Sequence, residues 1–271
     1  MVVDSRSQGG ELSVHKRDND MNPSYISYQK HDIPRRLCLY LQEALTCLRY
    51  VAVRVAQDSS LSFSANLWNL ETLIVKGLGG QDTNRIFAKI PNLQKLRCEV
   101  LTCDAFFPAF NNLTKLEMLK FSWGRAGTWA TVLNLPPSLK KLTLSNGRIF
   151  SLDQVATLPK LVVLKLQQVI IESEEWEVTD EQFLHLKFLK LQDPFFSEWN
   201  VSDDAFPCLE HLVLRRLRRL EKIPSRFADM PTLKSIEVMT CKESLVESAK
   251  DIKETQVEEM QNSGFKLFIQ K

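Results

Sequence analysis

The chain has 271 residues, 35 Lys and Arg against 33 Asp and Glu, a formal net charge of +2 and 44% apolar residues. So small a cationic excess excludes a nucleic-acid binder of the strongly basic kind, and no apolar run reaches the ~18 residues that a membrane-spanning helix needs. The length would suit one or two ordinary domains, but a chain of repeats grows by stacking and is not forced to divide.

Residues 1–30 carry Ser, Gln, Gly, Asp, Asn and Lys without periodicity, which predicts a disordered arm. Met1 to Asp20 holds no apolar run that could serve as a signal peptide, so the sequence reads as soluble, intracellular and cytoplasmic. From His31 to Tyr40, the run Ile33-Pro34-Arg35-Arg36-Leu37-Cys38-Leu39 predicts a strand with Leu37 and Leu39 as its inward pair. The next strand follows too soon for a full repeat, so the segment is a partial copy, an entry cap or the scar of a missing segment.

One pattern then recurs to the end of the chain. Leu48, Leu70, Leu93, Leu116, Leu139, Leu161, Leu186, Leu209 and Leu233 are anchors, separated by 22, 23, 23, 23, 22, 25, 23 and 24 residues. Apolar residues follow each anchor at the third and fifth positions: Val51/Val53, Leu73/Val75, Leu96/Cys98, Leu119/Phe121, Leu142/Leu144, Leu164/Leu166, Leu189/Leu191, Leu212/Leu214 and Ile236/Val238. A period of two marks a half-buried strand, and a repeat of 20 to 29 residues around it is the leucine-rich repeat signature. Pro91, Pro137, Pro159, Pro207 and Pro231 each stand two positions before an anchor, where the fixed φ and missing N–H suit the approach to a strand.

Between the strands lies a second apolar layer: Ile86/Phe87/Ile90, Phe106/Phe107/Phe110, Val155/Leu158 and Phe227/Met230. It predicts short helical or 3-10 turns on the convex side, with Trp123, Trp129, Trp176 and Trp199 filling gaps between coils. Gly77-Leu78-Gly79-Gly80 reads as a turn after the second strand, without phosphate-loop spacing. Ser244 to Gln261 predicts a capping helix started by Ser244, with Leu245, Ala249, Ile252 and Met260 on one face. Asn262-Ser263-Gly264 ends it, and Phe265 to Ile269 adds a last strand. The expected fold is thus an α/β leucine-rich repeat horseshoe with a parallel concave sheet, in which residues 31–243 hold about nine repeats and residues 244–271 form the C-terminal cap.

Catalytic signals are missing from this pattern. The four histidines are scattered, no Gly-x-Ser-x-Gly elbow occurs, and the six cysteines show no zinc spacing, so they read as reduced thiols. The expectation is a protein that is not an enzyme and takes no cofactor or metal. Its surface says more. The residue between the two inward ones of each strand points to the concave side, giving Ala52, Ile74, Arg97, Lys120, Thr143, Lys165, Lys190, Val213 and Glu237. Arg97, Lys120, Lys165 and Lys190 form a cationic row broken by Thr143, flanked by Lys95, Lys141 and Arg215. The row is either a docking face for an acidic protein surface or lysine placed for solubility. A second cluster, Arg215, Arg216, Arg218, Arg219, Lys222 and Arg226, follows the acidic stretch Glu172 to Glu181, and the two either pair or steer separate partners.

The passages Leu209-Glu210-His211-Leu212-Val213-Leu214, Leu220-Glu221-Lys222-Ile223-Pro224 and Met230-Pro231-Thr232-Leu233-Lys234-Ser235-Ile236-Glu237-Val238 resemble the last repeats of plant intracellular immune receptors. The tail from Ser248-Ala249-Lys250-Asp251-Ile252 to Phe265-Lys266-Leu267 is similar to the C-terminal end of the coiled-coil class, in particular the late blight resistance proteins. Pro34-Arg35-Arg36-Leu37-Cys38 resembles the start of their repeat domain, although the short first step departs from the family's pattern. The resemblance implies the repeat domain of a receptor whose coiled coil and nucleotide-binding switch module are absent here. It also implies autoinhibition of that module, in cis or in trans, and recognition of a pathogen effector or a guarded host protein (guardee), with no nucleic acid expected. A signalling scaffold and a nonfunctional truncated copy are the alternatives.

Overall fold

The structure, a computed structural model, describes residues 12–15, 25–28, 37–39, 48–55, 61–63, 66–78, 83–100, 108–124 and 132–270. They fall into two units, one reaching Ser138 and one running from Leu139. All nine strands expected from the anchors are present, four in the first unit and five in the second.

The first unit contains β1 (Leu12–His15), β2 (Tyr25–Tyr28), β3 (Leu37–Leu39), β4 (Tyr50–Arg54), β5 (Leu61–Phe63), β6 (Thr72–Leu78), the short helix α1 (Thr83–Ala88), β7 (Lys95–Val100) and β8 (Met118–Ser122). Strands β4, β6, β7 and β8 pair in parallel, each with the next. Their register stacks Val51, Leu73, Leu96 and Leu119 in one inward ladder and Val53, Val75, Cys98 and Phe121 in a second. Burial removes Cys98 from solvent and, with the neighbouring Glu99 charge, pushes its thiol pKa far up.

Of residues 1–30 only β1 and β2 are described, and they pair antiparallel. Two expectations meet a different outcome here. The strand over Leu37–Leu39 forms, but its partner is β5, outside the row of repeat strands. Gly77 and Leu78 are not a turn: β6 continues through them, with a bulge between Lys76 and Leu78. Gly77 takes φ 86°, a left-handed value open to a residue without Cβ, and Leu78 turns inward beside Val100. Gly79, Gly80, Phe106, Phe107 and Trp129 lie outside the described residues.

The second unit contains β9 (Lys141–Ser145), β10 (Arg148–Ile149), α2 (Asp153–Ala156), β11 (Val163–Gln167), β12 (Ile170–Ile171), β13 (Glu175–Val178), β14 (Phe188–Gln192), β15 (Glu198–Val201), β16 (His211–Arg215), a 3-10 turn (Ser225–Asp229), β17 (Ser235–Met239), α3 (Glu243–Glu258) and β18 (Lys266–Gln270). The parallel order is β9, β11, β14, β16, β17, β18. One inward ladder runs Leu142, Leu164, Leu189, Leu212, Ile236, Leu267, and the other Leu144, Leu166, Leu191, Leu214, Val238, Ile269. Each buried rung contributes about 1.5–3 kcal/mol of apolar transfer. The outer segments combine the expected helical turns with the small parallel pairs β10–β12 and β13–β15. Trp176 and Trp199 face each other across β13 and β15 with ring centroids 5.1 Å apart, filling the space between coils as expected.

The backbone closes each coil in a repeated way. The N–H of an anchor bonds the carbonyl three residues earlier, as in Leu161 to Leu158, Leu186 to Phe183, Leu209 to Phe206 and Leu233 to Met230. After each strand the next residue adopts a left-handed φ: Asn146, Gln168, Asp193, Arg216 and Thr240. These five donate their N–H groups to Gln167, Gln192, Arg215, Met239 and Gln270, the last residue of the neighbouring strand in each case. The left-handed turn thus extends the ladder by one bond while bending the chain out of the sheet.

At the C-terminal end, α3 begins at Glu243 with Lys242 at its N-cap, so Ser244 lies inside the first turn and does not cap. Ser244 is exposed, while Ser248 one turn later accepts the N–H of Ile223. Met260, expected on the apolar face, is past the helix and exposed; Gln256 takes the buried position instead. Its Nε2 donates to the carbonyls of Phe227, Ala228 and Met230, and Asn262 Nδ2 donates to its Oε1 and to the Leu233 carbonyl. This amide pair ties helix, 3-10 turn and strand together.

Two changes test this account in urea unfolding. Gln256→Leu leaves buried carbonyls without a donor and should cost about 2–4 kcal/mol. Thr240→Asn keeps the left-handed turn with a residue that tolerates it and should gain roughly 0.5–1 kcal/mol.

Candidate interaction face

In every repeat strand the inward residues are consumed by the ladders, leaving the alternate residues on an open face. In the first unit that face carries Arg54, Lys76, Lys95, Arg97 and Lys120 with one carboxylate, Glu99. In the second it carries Lys141, Lys165, Lys190, Arg215 and Lys266, again with one carboxylate, Glu237. Each face therefore holds five cations against one anion in a chain whose total excess is +2. The positive charge is concentrated on the sheets and the negative charge lies elsewhere.

Register places the expected site residues in groups. Arg97 stands directly beside Lys120 across β7 and β8. Lys165 lies between Thr143 and Lys190 across β9, β11 and β14. Arg215 occupies the next row, opposite Gln192, diagonal to Lys190. Neighbouring strands lie about 4.8 Å apart, so these like charges repel across a short gap. Partial burial, then the charges of Arg215 and Lys165, lower the Lys190 pKa from 10.5, opposed by Glu237.

Around Lys190 the second face has features that the sequence reading did not single out. Lys165 Nζ sits 5.2 Å from the centroid of Phe188, a cation–π contact. The Phe188 ring is 6.5 Å from that of His211, whose Nδ1 lies 2.8 Å from Ser235 Oγ. Phe188, His211 and Ser235 occupy the first outward position of their strands. The signal was present in the same alternation, one step before the position chosen for the row.

At the start of these strands Glu210 accepts hydrogen bonds from Lys187 Nζ, at 2.7 Å, and from Lys234 Nζ. The two ammonium groups hold its carboxyl at about 2, well below the ordinary 4.5. Away from the face, three residues of the second basic cluster are engaged. Arg219 Nη1 pairs with Glu174 at 3.1 Å and its guanidinium stacks 3.5 Å from the Phe195 ring. Arg216 grips Asp193 Oδ2 through Nε and Nη2, both at 2.9 Å. Arg226 Nε donates to the Asp203 carbonyl. The opposed charges read from the sequence thus meet through Arg219 and Glu174. An open cavity of about 1060 Å³ lies beside them, lined by β15, residues 219–228 and α3.

Strands repeating at 22 to 25 residues, inward leucine ladders and a polar open face define a leucine-rich repeat protein. No protein-family profile matches the chain. Curated relatives do: one putative late blight resistance protein homolog of Solanum demissum is 36% identical over 281 residues, covering 82% of this chain and 22% of its own length. A second is 42% identical over 216 residues, covering 77% of this chain and 17% of its own length, and a third 41% over 221 residues, covering 79% and 28%. The chain is a leucine-rich-repeat relative of the late blight resistance proteins and spans about a quarter of their length or less. Among the described residues no helix is long and apolar enough to cross a membrane.

Two titrations follow. Because the folded Lys190 pKa is lowered, its protonated form costs stability below that pKa and the cost fades as pH rises toward 10.5. Lys190→Gln should therefore unfold at slightly higher urea than wild type at neutral pH, by less than about 1 kcal/mol after solvent screening, with the gap closing on alkalinisation. For Glu210 the folded pKa is depressed, so its contribution is present above 4.5 and lost as pH falls toward about 2. The wild-type advantage over Glu210→Gln should shrink across that window.

Proposed function

We propose that the chain is a non-catalytic, cytoplasmic protein-binding module of a plant disease-resistance protein, and that the cationic sheet face docks an acidic protein surface. The observation that carries this reading is the concentration of five cations against one carboxylate on each open face, in a chain of net charge +2. Lysines placed only for solubility would be distributed over the whole surface, acid among base, whereas a one-signed face steers a partner of opposite sign. The partners we propose, in keeping with the resemblance to resistance proteins, are a receptor's nucleotide-binding module, which the repeats would hold inactive, and a pathogen effector or guarded host protein.

Such a face contributes mostly through association rate and register, and a rim of ordinary hydrogen bonds and apolar contacts supplies the remainder. Phe188, backed by Lys165, is the apolar anchor of this face in the second unit. Co-expression with the nucleotide-binding module of a full-length relative, followed by co-purification, tests the reading. The intact chain should be retained, and Lys165→Glu with Lys190→Glu should reduce retention at least tenfold. Retention unchanged by the reversal, at equal folding by circular dichroism, would move the contact off this face.

A further inference from the structure

The sheet of the second unit ends at β18, and among the described residues no segment pairs with its outer edge. The inward ladders are closed at every other strand but open here. Ile236 and Val238 on β17 are fully buried, whereas their register partner Ile269 is 40% exposed and Leu267 half-buried. On the open face Phe268 is 52% exposed.

The direction of the free backbone groups follows from two bonds. Lys266 donates to the Lys234 carbonyl, and Thr240 donates to the carbonyl of Gln270. In a parallel pair alternate residues bond to the same neighbour, so residues 266, 268 and 270 face β17. The N–H and C=O groups of Leu267 and Ile269 point out of the edge. The described strand has neither proline nor bulge to blunt that edge, and Lys266 is its single charge.

We infer that β18 is a self-association edge, on which β18 of a second copy of this chain pairs antiparallel about a two-fold axis through Phe268. In that register Leu267 faces Ile269 of the copy and Ile269 faces its Leu267. Both are hydrogen-bonded pairs, so four bonds satisfy every outward N–H and C=O of both strands. Phe268 meets its own copy at a non-hydrogen-bonded position, where side chains approach most closely. Lys266 meets Gln270, so no like charges are opposed. The inward side chains of the two copies extend the buried ladders across the axis. A register shifted by one residue would leave outward groups facing no partner, so the sequence selects this pairing.

Five residues from each copy make a small interface, in the weak and transient class. Analytical ultracentrifugation of the full chain should show monomers at ~10 µM and a rising dimer fraction toward ~300 µM, as such interfaces give. Ile269→Pro removes one outward N–H without touching the bonds to β17, and Phe268→Lys sets a charge against its own copy. Each should lower the dimer fraction at least tenfold in association constant, with unchanged circular dichroism. The dimer should survive about 0.5 M salt, which screens contacts between exposed charges. A chain that stays monomeric at ~300 µM would overturn the inference. So would a dimer indifferent to both substitutions, or one that salt dissolves, which would signal a charged face meeting an acidic surface.

Discussion

A single coil of this chain cannot bury its own leucines, and that constraint governs everything else in the structure. About 23 residues close around two inward side chains per strand, and only the coils before and after complete the enclosure. The leucine ladders and the backbone bonds are therefore one device. Parallel register brings like residues into contact, and the carbonyl after one anchor accepts N–H groups from the next coil, as Lys187 does from Glu210 and His211. Left-handed residues after the strands add a further bond while turning the chain away.

Because packing is settled by the inward residues, the outward ones are released to carry charge. Arg97 and Lys120 in the first unit, and Lys165, Lys190 and Arg215 in the second, tolerate mutual repulsion that a core would not permit. Partial burial first, and then the charges of Arg215 and Lys165, lower the Lys190 pKa, so repulsion adds to desolvation in disfavouring its charged form. A partner carboxylate set against it would relieve the repulsion, which links a small cost in the free chain to recognition. The contrast with Glu210 is instructive: where the fold needs a fixed ion cluster, it places one carboxylate between two ammonium groups.

Much of this was legible in the sequence because the repeat is read from side-chain period alone. Anchor spacing and the alternation after each anchor located nine strands and their inward residues. What escaped was chemistry that depends on tertiary neighbours. Gln256 is polar and sits where a helical wheel shows only a break in the apolar face, yet three carbonyls from another coil converge on it. Ser244 offers a capping side chain, but the N-cap falls two residues earlier, at Lys242. Gly77 looked like a loop because it stands beside two more glycines, while its positive φ serves a bulge. On the open face the cations were visible and the aromatic contact of Lys165 with Phe188 was not, since it runs between strands 25 residues apart in phase.

The open sheet face is the surface proposed to meet a partner. Hydrogen–deuterium exchange of this chain, alone and with the nucleotide-binding module of a full-length relative, tests it most directly. Protection gained over residues 163–167, 188–192 and 211–215, with α3 unchanged, is the result expected. Protection confined to α3 and residues 219–228, with the sheet strands unaffected, would contradict it.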